Sequence, residues 1–392
     1  MWRAAKVCFL YIGTVIGAGF ASGREIALFF GDTAPLNVAL TAVFMAVPEA
    51  LFLVAGKLGA LPSGTAVKTG VFVAAFSSVA AMLAGCELAL VELTGFAGLG
   101  VIAAIAAGML VIGGTEKMKL ANTVLIPLLL ILLLVVYVKS GSPVYGGSFS
   151  LVKPAHYAGL DVLMGGMIIS REGKKLNGKE IAITCAFSAA FLGIVLFVLQ
   201  NIVLSDGTNA SMPVLAVAEG VGLKIAAGVL IVIAVFTTLV SSLDVLTDSL
   251  TDGLRGAVCA PVRAHGHAHK NTRRPEGKTR RTVGEINAPP PGGQPPEETA
   301  KEKRGVLRRA AAYISAPEHR PLAVFLCLLL LYPVSFFGFE NIVNSLYPFV
   351  GLCGVAMTVL TALKLARVLI ERRKTQPRGT QTLTCFTSRG EM

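Results

Sequence analysis

Apolar and polar positions alternate along this chain in long blocks and short breaks. Ten apolar blocks stand out, at roughly 6–30, 35–59, 69–93, 96–114, 119–138, 155–171, 178–204, 219–248, 321–339 and 343–369. Ala121 to Val138 is typical, with only Asn122 and Thr123 polar among eighteen residues. A helix needs roughly 20 mainly apolar residues to cross a bilayer core, so the blocks predict about ten transmembrane helices. A membrane β-barrel would instead alternate apolar and polar residues over about ten positions per strand. Charge and turn signals mark the breaks, among them Gly31–Asp32, Lys57 to Lys68, Lys139 to Pro154, Arg171 to Lys179 and Ser205 to Pro213.

Composition narrows the class. The chain has 392 residues, of which 54% are hydrophobic and 15% charged, against about 25% charged in a soluble globular chain. A mean hydropathy of +0.70 agrees. A soluble enzyme, a secreted disulfide domain and a nucleic-acid-binding domain are excluded. The seven cysteines include no CxxC pair, so neither a disulfide framework nor a zinc site is expected. The first block carries Arg24–Glu25 and no small-residue cleavage site, and reads as a mature helix.

The net charge of +12 is unevenly placed: residues 254–320 hold 14 Lys/Arg and 6 Asp/Glu. With the N-terminus inside, the inner segments hold 31 Lys/Arg and the outer ones 3. This asymmetry predicts an even number of spans and both termini in the cytoplasm. Segment 254–320 is also Pro-rich and low in hydrophobicity, which predicts a disordered cytoplasmic insert. His265, His267 and His269 alternate within it, and Gly305 to Ala316 has an amphipathic pattern suited to the inner leaflet. The expected domains are therefore 1–253 with helices 1 to 8, the insert 254–320, 321–370 with helices 9 and 10, and a disordered tail at 371–392.

Polar and glycine positions inside the spans carry the candidate chemistry. Gly13, Gly17, Gly19 and Gly23 fall within eleven positions of the first span, although each helical glycine costs about 1 kcal/mol relative to alanine. Small residues at spacing four permit close helix packing. Alternatively, Gly17-Ala18-Gly19 marks an unwound break that offers backbone groups to a cation and a carboxylate. At about 1.5 Å per residue from Lys6, Gly17 lies near the bilayer midplane. The sixth span carries a comparable interruption, Asp161 followed by Gly165–Gly166. Paired interruptions in corresponding helices of two halves point to a transporter site.

These residues carry a resemblance. GTVIGAGFASGREI at 13–26 and FGFENIVNSLYPFVGLCG at 337–354 resemble the YkvI-like family of bacterial membrane proteins. That family is similar to the amino acid–polyamine–organocation (APC) superfamily, which implies an all-α LeuT-like fold. Such a fold has ten transmembrane helices as a 5+5 inverted repeat, with helices 1 and 6 discontinuous. The resemblance implies a sodium site with Gly13 and Ile16 giving helix 1 carbonyls and Ala234, Thr237 and Thr238 giving helix 8 oxygens. It implies a solute pocket at Gly17, Ala18, Gly19 and Phe20, completed by Gly165, Gly166, Ser77 and Ser78. A hydroxyl bonded back to its own helix is the plain alternative for Thr237 and Thr238.

Intramembrane acids offer a rival coupling site, because a buried carboxylate needs a cavity, a partner or a proton. Glu49, after Pro48, is the candidate proton relay; Glu87 also lies within a span. Arg24 and Glu25 are expected near the outer end of helix 1, as a gate or an interfacial ion pair. The expected function is secondary active, sodium-coupled symport of a small amino-acid-like solute. Helices 1, 2, 6 and 7 would rock against the rest, without a cofactor beyond sodium. The expected partners are the bilayer of a bacterial inner membrane and the solute, with no nucleic acid. The alternatives are a proton-coupled carrier using Glu49, or a non-transporting sensor subunit. Enzyme activity is not expected, since no His/Cys/Asp cluster or HExxH pattern lies in the spans, and ATP-driven transport is not expected, since no P-loop occurs.

Overall fold

The computed structural model describes residues 2–31, 33–114, 116–141, 143, 145, 147–206, 209–259, 309–314 and 316–375. It does not describe the side chains at 2, 18, 66, 116–124, 164, 206, 256–259, 317 and 375. The three insert histidines, Gly305 and the tail from 376 onward lie outside the described residues.

The described residues are helical, and hold no β-strand beyond one isolated bridge between Thr33 and Ser148. In chain order the helices are α1 (Trp2–Val15), α2 (Ala18–Ser22), α3 (Arg24–Phe30), α4 (Pro35–Leu58), α5 (Thr65–Thr94), α6 (Gly100–Gly113) and α7 (Glu116–Lys139). They continue with α8 (Val152–Glu172), α9 (Gly178–Asp206), α10 (Pro213–Gly220), α11 (Lys224–Cys259), α12 (309–314), α13 (Arg320–Ser335) and α14 (Phe339–Thr375). Five segments are long and apolar enough to cross a membrane: Pro35–Leu58, Val67–Thr94, Gly178–Ser205, Lys224–Arg255 and Phe339–Lys374. Gly100–Gly113, Leu125–Lys139 and Arg320–Ser335 are apolar but shorter. Large apolar side chains such as Ile102, Ile131, Ile194 and Leu330 point outward. An outer surface of this kind suits hydrocarbon rather than water.

Local chemistry sets the helix ends. α4 begins on Pro35 and stops at Gly59, whose left-handed φ of 69° no β-branched residue would adopt easily. Glu87, a rival coupling acid by sequence, has a structural role here. Its carboxylate accepts the amides of Gly98 at 2.5 Å and Gly100 at 2.6 Å, and so caps the start of α6. Gln200 on α9 donates to the carbonyls of Phe30 and Thr33, both at 3.2 Å, and satisfies the end of α3.

Some boundaries differ from the sequence expectation. The block at 219–248 resolves into the end of α10, a turn at Val221 to Leu223, and α11. α11 runs on to Cys259, so the first residues of the expected disordered insert are helical. α14 continues to Thr375, past the expected start of the tail; Arg372, Arg373 and Lys374 in its last turn favour the carbonyl end of the helix dipole. Residues Leu250–Ala323 cluster as a unit of their own, in which Tyr313 stacks on His319 with ring centroids 3.7 Å apart.

α8 is the hub of the larger unit, Met1–Ser249 with Val324–Met392. It packs most extensively against α4 and α14, and α4 and α1 both also pack on α9. Glycine makes the α8 crossings close. A Cβ at Gly354 would overlap the Gly159 carbonyl, and one at Gly351 would meet the His156 carbonyl at 2.5 Å. Gly56 on α4 likewise lies against the Ser170 carbonyl, and Gly173 at the end of α8 against that of Leu53.

The glycine pair Gly165–Gly166 belongs to the same device. α8 runs unbroken through it, so the expected discontinuity of helix 6 is not found. A Cβ at Gly165 would sit 2.8 Å from Thr14 Oγ1 and 3.0 Å from Tyr11 Cε2, and one at Gly166 3.0 Å from Phe52 Cγ. The pair lets α1 and α4 approach α8, and an intact helix leaves no backbone group in need of a ligand.

One prediction separates tight glycines from open ones. Gly354→Ala should destabilise the protein by about 1–3 kcal/mol through overpacking. Gly70→Ala on α5 meets nothing within 4 Å and should be neutral or stabilising by up to about 1 kcal/mol. Thermal unfolding of the purified full chain in detergent reads both; equal melting shifts would contradict the close α8–α14 crossing.

Candidate functional site

The first span is interrupted twice within eight residues. α1 ends at Val15, and Gly17 is extended at φ −97° and ψ −168° before α2 begins. The Gly17 amide turns back to the Val15 carbonyl at 2.8 Å, so it no longer continues the ladder to Gly13. Gly23 then takes a left-handed φ of 79° and starts α3 at Arg24. Of these glycines, Gly23 is required by its conformation. Gly19 is required by space, because a Cβ there would overlap the Glu25 carboxylate. At Gly17 a Cβ would find ordinary contact with Thr238, 3.5 Å from its Cγ2.

The second interruption changes where Glu25 points. A straight first helix puts Arg24 and Glu25 near the outer membrane surface. The turn at Gly23 instead folds Glu25 back beneath α2, where it is 5% exposed. Its Oε2 lies 3.5 Å from the Tyr157 hydroxyl. Arg24 faces the other way: it donates to Glu340 Oε1 at 2.7 Å, Asn344 Oδ1 at 3.1 Å and the Ala210 carbonyl at 3.3 Å. Glu340 also accepts from Ser211 Oγ at 2.9 Å. The pair read as an outer gate therefore splits. Arg24 ties α3 to the start of α14 and to the segment before α10, while Glu25 enters the interior.

Glu25 reaches a cavity of about 60 Å³ beside the helix break. Thr14, Val15 and Gly17 line it from the first span, Ser77 and Ser78 from α5, and Thr238 from α11. Asp161 on α8 and Tyr347 on α14 complete its polar wall; Ala74, Met82, Leu160 and Val350 supply apolar surface. Among the described residues, no lysine, arginine or histidine lines it. Two polar atoms there have no hydrogen-bond partner, Asp161 Oδ2 and Ser77 Oγ, with their residues 8% and 2% exposed. Ser78 pairs with Ser242, hydroxyl to hydroxyl at 2.8 Å.

The expected site residues are partly gathered here. Gly17, Ser77, Ser78 and Thr238 line the cavity. Thr237 is buried, and both threonine hydroxyls donate to the Ala234 carbonyl, at 3.0 and 2.9 Å. The hydroxyl oxygens keep their lone pairs, whereas the Ala234 carbonyl is already used twice. The Gly13 and Ile16 carbonyls belong to the last turn before the break; Phe20 is fully buried, and Ala18 is described by its backbone alone. Gly165 and Gly166 are not part of the cavity wall; they are packing glycines, as described above.

Glu49 lies away from the cavity. It is fully buried, and the Ser188 hydroxyl stands between its Oε1, at 3.0 Å, and Cys8 Sγ, at 3.2 Å. Its Oε2 has no partner. Tyr347, Glu340 and Asn344 were missed as functional positions, although all three lie in the distinctive stretch 337–354. Asp161 carried a signal, as an acid in mid-span one turn before a glycine pair.

The geometry ranks the glycines of the first span. Gly19→Ala should displace Glu25 and lower the melting temperature by several degrees, while Gly17→Ala should change it by much less. Comparing the two variants by thermal unfolding tests the folded-back position of Glu25, which a larger effect at Gly17 would contradict. No family model matches the chain, and no curated protein matches it either.

Proposed function

We propose that this chain is a secondary active transporter, a sodium-coupled symporter of a small amino-acid-like solute working by alternating access. The observation that carries the reading is the helix broken at Ile16–Gly17 beside a cavity lined by hydroxyls and two acids, with Thr238 against the break. Inside a bilayer, irregular backbone is tolerated only where protein buries it or where it lines a polar cavity. Carriers use such breaks to bind ions and solutes near the midplane.

In this reading sodium sits between the first span and α11, held by the Gly13 and Ile16 carbonyls and the hydroxyl oxygens of Thr237 and Thr238. Uncharged oxygen ligands suit a monovalent cation that must also leave. The solute occupies the cavity between Gly17 to Phe20 and Ser77–Ser78. A solute carboxylate at the amides of α2 requires a cation beside it, because Glu25 and Asp161 face the same space. With both acids ionised, that charge balance supports cation coupling. The moving part is the group formed by the first span, α4, α8 and α9, which pack on one another. The reading treats the ten helical spans as two inverted sets of five in a LeuT-like fold, in a bacterial inner membrane with both termini inside.

A second reading, proton-coupled transport through Glu49, rests on one observation: a fully buried carboxylate with one oxygen on Ser188 and the other without a partner. Uptake of a radiolabelled amino acid mixture into proteoliposomes separates the two. An imposed sodium gradient should drive uptake, and Thr237→Ala with Thr238→Ala should reduce the sodium-driven component at least tenfold while the protein stays folded. Uptake driven by a proton gradient alone, and lost in Glu49→Gln, would replace the first reading with the second. Absence of any uptake or exchange would overturn both in favour of a non-transporting sensor.

A further inference from the structure

We propose that Glu25 and Asp161 form an anchoring site for an ammonium group, so that the cavity selects solutes carrying a protonated amine. The inference rests on the transporter reading of the cavity and adds the chemical class of its occupant. Both carboxylates line one cavity beside the break, and they arrive from different elements, α3 and α8. They are within electrostatic reach of each other. Burying two ionised acids with no basic residue among the described wall residues is costly, and either protons or a positive group beside them removes that cost. Arg24 does not serve, since it is bonded to Glu340 and Asn344.

The unsatisfied atoms say where that group fits. Asp161 lines the cavity, and its Oδ2 is buried without a hydrogen-bond partner. Ser77 Oγ, on a separate helix, is equally buried and unpartnered. An ammonium has three donors, the number that two carboxylates and a hydroxyl on this wall would accept. The Glu25 carboxylate is held in place from both sides, by the glycine at position 19 above it and the Tyr157 hydroxyl beside it.

The remaining wall favours an organic cation over a bare metal ion. Ala74, Met82, Leu160 and Val350 present apolar surface, which gains from a carbon skeleton and offers a metal ion no ligands. Among the described residues no cluster of three or more His, Cys, Asp or Glu is placed to hold a metal. The cavity of about 60 Å³ has room for a small amine.

The test uses the purified full chain in lipid nanodiscs with three probes of similar size: propylamine, propionate and alanine. Propylamine and alanine should raise the melting temperature in a saturable way, and propionate should not. Asp161→Asn and Glu25→Gln should each weaken propylamine binding at least tenfold. Stabilisation by propionate but not by propylamine would overturn the proposal, as would unchanged propylamine affinity in both variants. Should the variants not fold, the wild type still decides. A hydrophobic carbodiimide labels buried carboxyls, and propylamine should slow labelling of Glu25 and Asp161 at least threefold by peptide mass spectrometry. Unchanged labelling would overturn the site. Propylamine binding without exchange of radiolabelled propylamine across proteoliposomes would leave the amine site standing and overturn the transport reading.

Discussion

A backbone that leaves its helix in an apolar surrounding strands amides and carbonyls that water cannot reach. Each stranded group costs several kcal/mol unless protein supplies a partner. The first span of this chain leaves its helix at Ile16–Gly17 and again at Gly23, and much of the interior serves those two points. The Val15 carbonyl takes the Gly17 amide, and the Gly17 carbonyl accepts from Ala21. Ser22 accepts the Arg24 amide at 3.3 Å and donates to the Gly19 carbonyl at 3.2 Å. What the backbone does not satisfy, the cavity surrounds with hydroxyls and carboxylates. The arrangement is costly to build, and that cost is what the proposed function accounts for.

The same economy explains the rest of the bundle. Close helix approach against α8 is achieved by glycine, with Gly159 against Gly354 and Gly165 against Thr14 and Tyr11. Lipid is as apolar as the side chains it would replace, so helix association in a membrane depends on such close van der Waals packing. Tight crossings pack α8 closely on its neighbours, and Asp161 lies on this helix in the cavity wall. Arg24 anchors the first span from the opposite side, by joining α3 to α14 through Glu340 and Asn344.

The all-helical, membrane-type class was legible in the sequence, because blocks near twenty apolar residues leave few alternatives; the number of spans was not, since five of the described segments are long and apolar enough to cross a membrane. The break in the first span was legible as one of two readings: the glycine spacing fits close packing equally well, and the depth of Gly17 near the midplane favoured the break. The same logic failed at Gly165–Gly166. A glycine pair in mid-span serves packing as well as unwinding, and only its neighbours, Tyr11 and Phe52, distinguish the two. Glu25 was misplaced because position along a straight helix was taken as depth; a single left-handed glycine reverses that inference. Glu87 read as an intramembrane acid, and its capping of α6 depended on a turn that hydropathy does not reveal. The charges that matter most, Arg24 with Glu340 and Glu25 with Asp161, are separated by well over a hundred residues, and spacing along the chain carries no trace of such pairs.

The central claim is that a polar cavity opens inside the apolar bundle beside the broken first span. Accessibility of Ser77 tests it most directly. In a background whose seven native cysteines are replaced, Ser77→Cys in intact membranes should react with a small hydrophilic methanethiosulfonate. Val79→Cys, buried two residues further along α5 and absent from the cavity wall, should not. Equal protection of both cysteines would contradict the account, since a dry packed core would then occupy the place of the cavity.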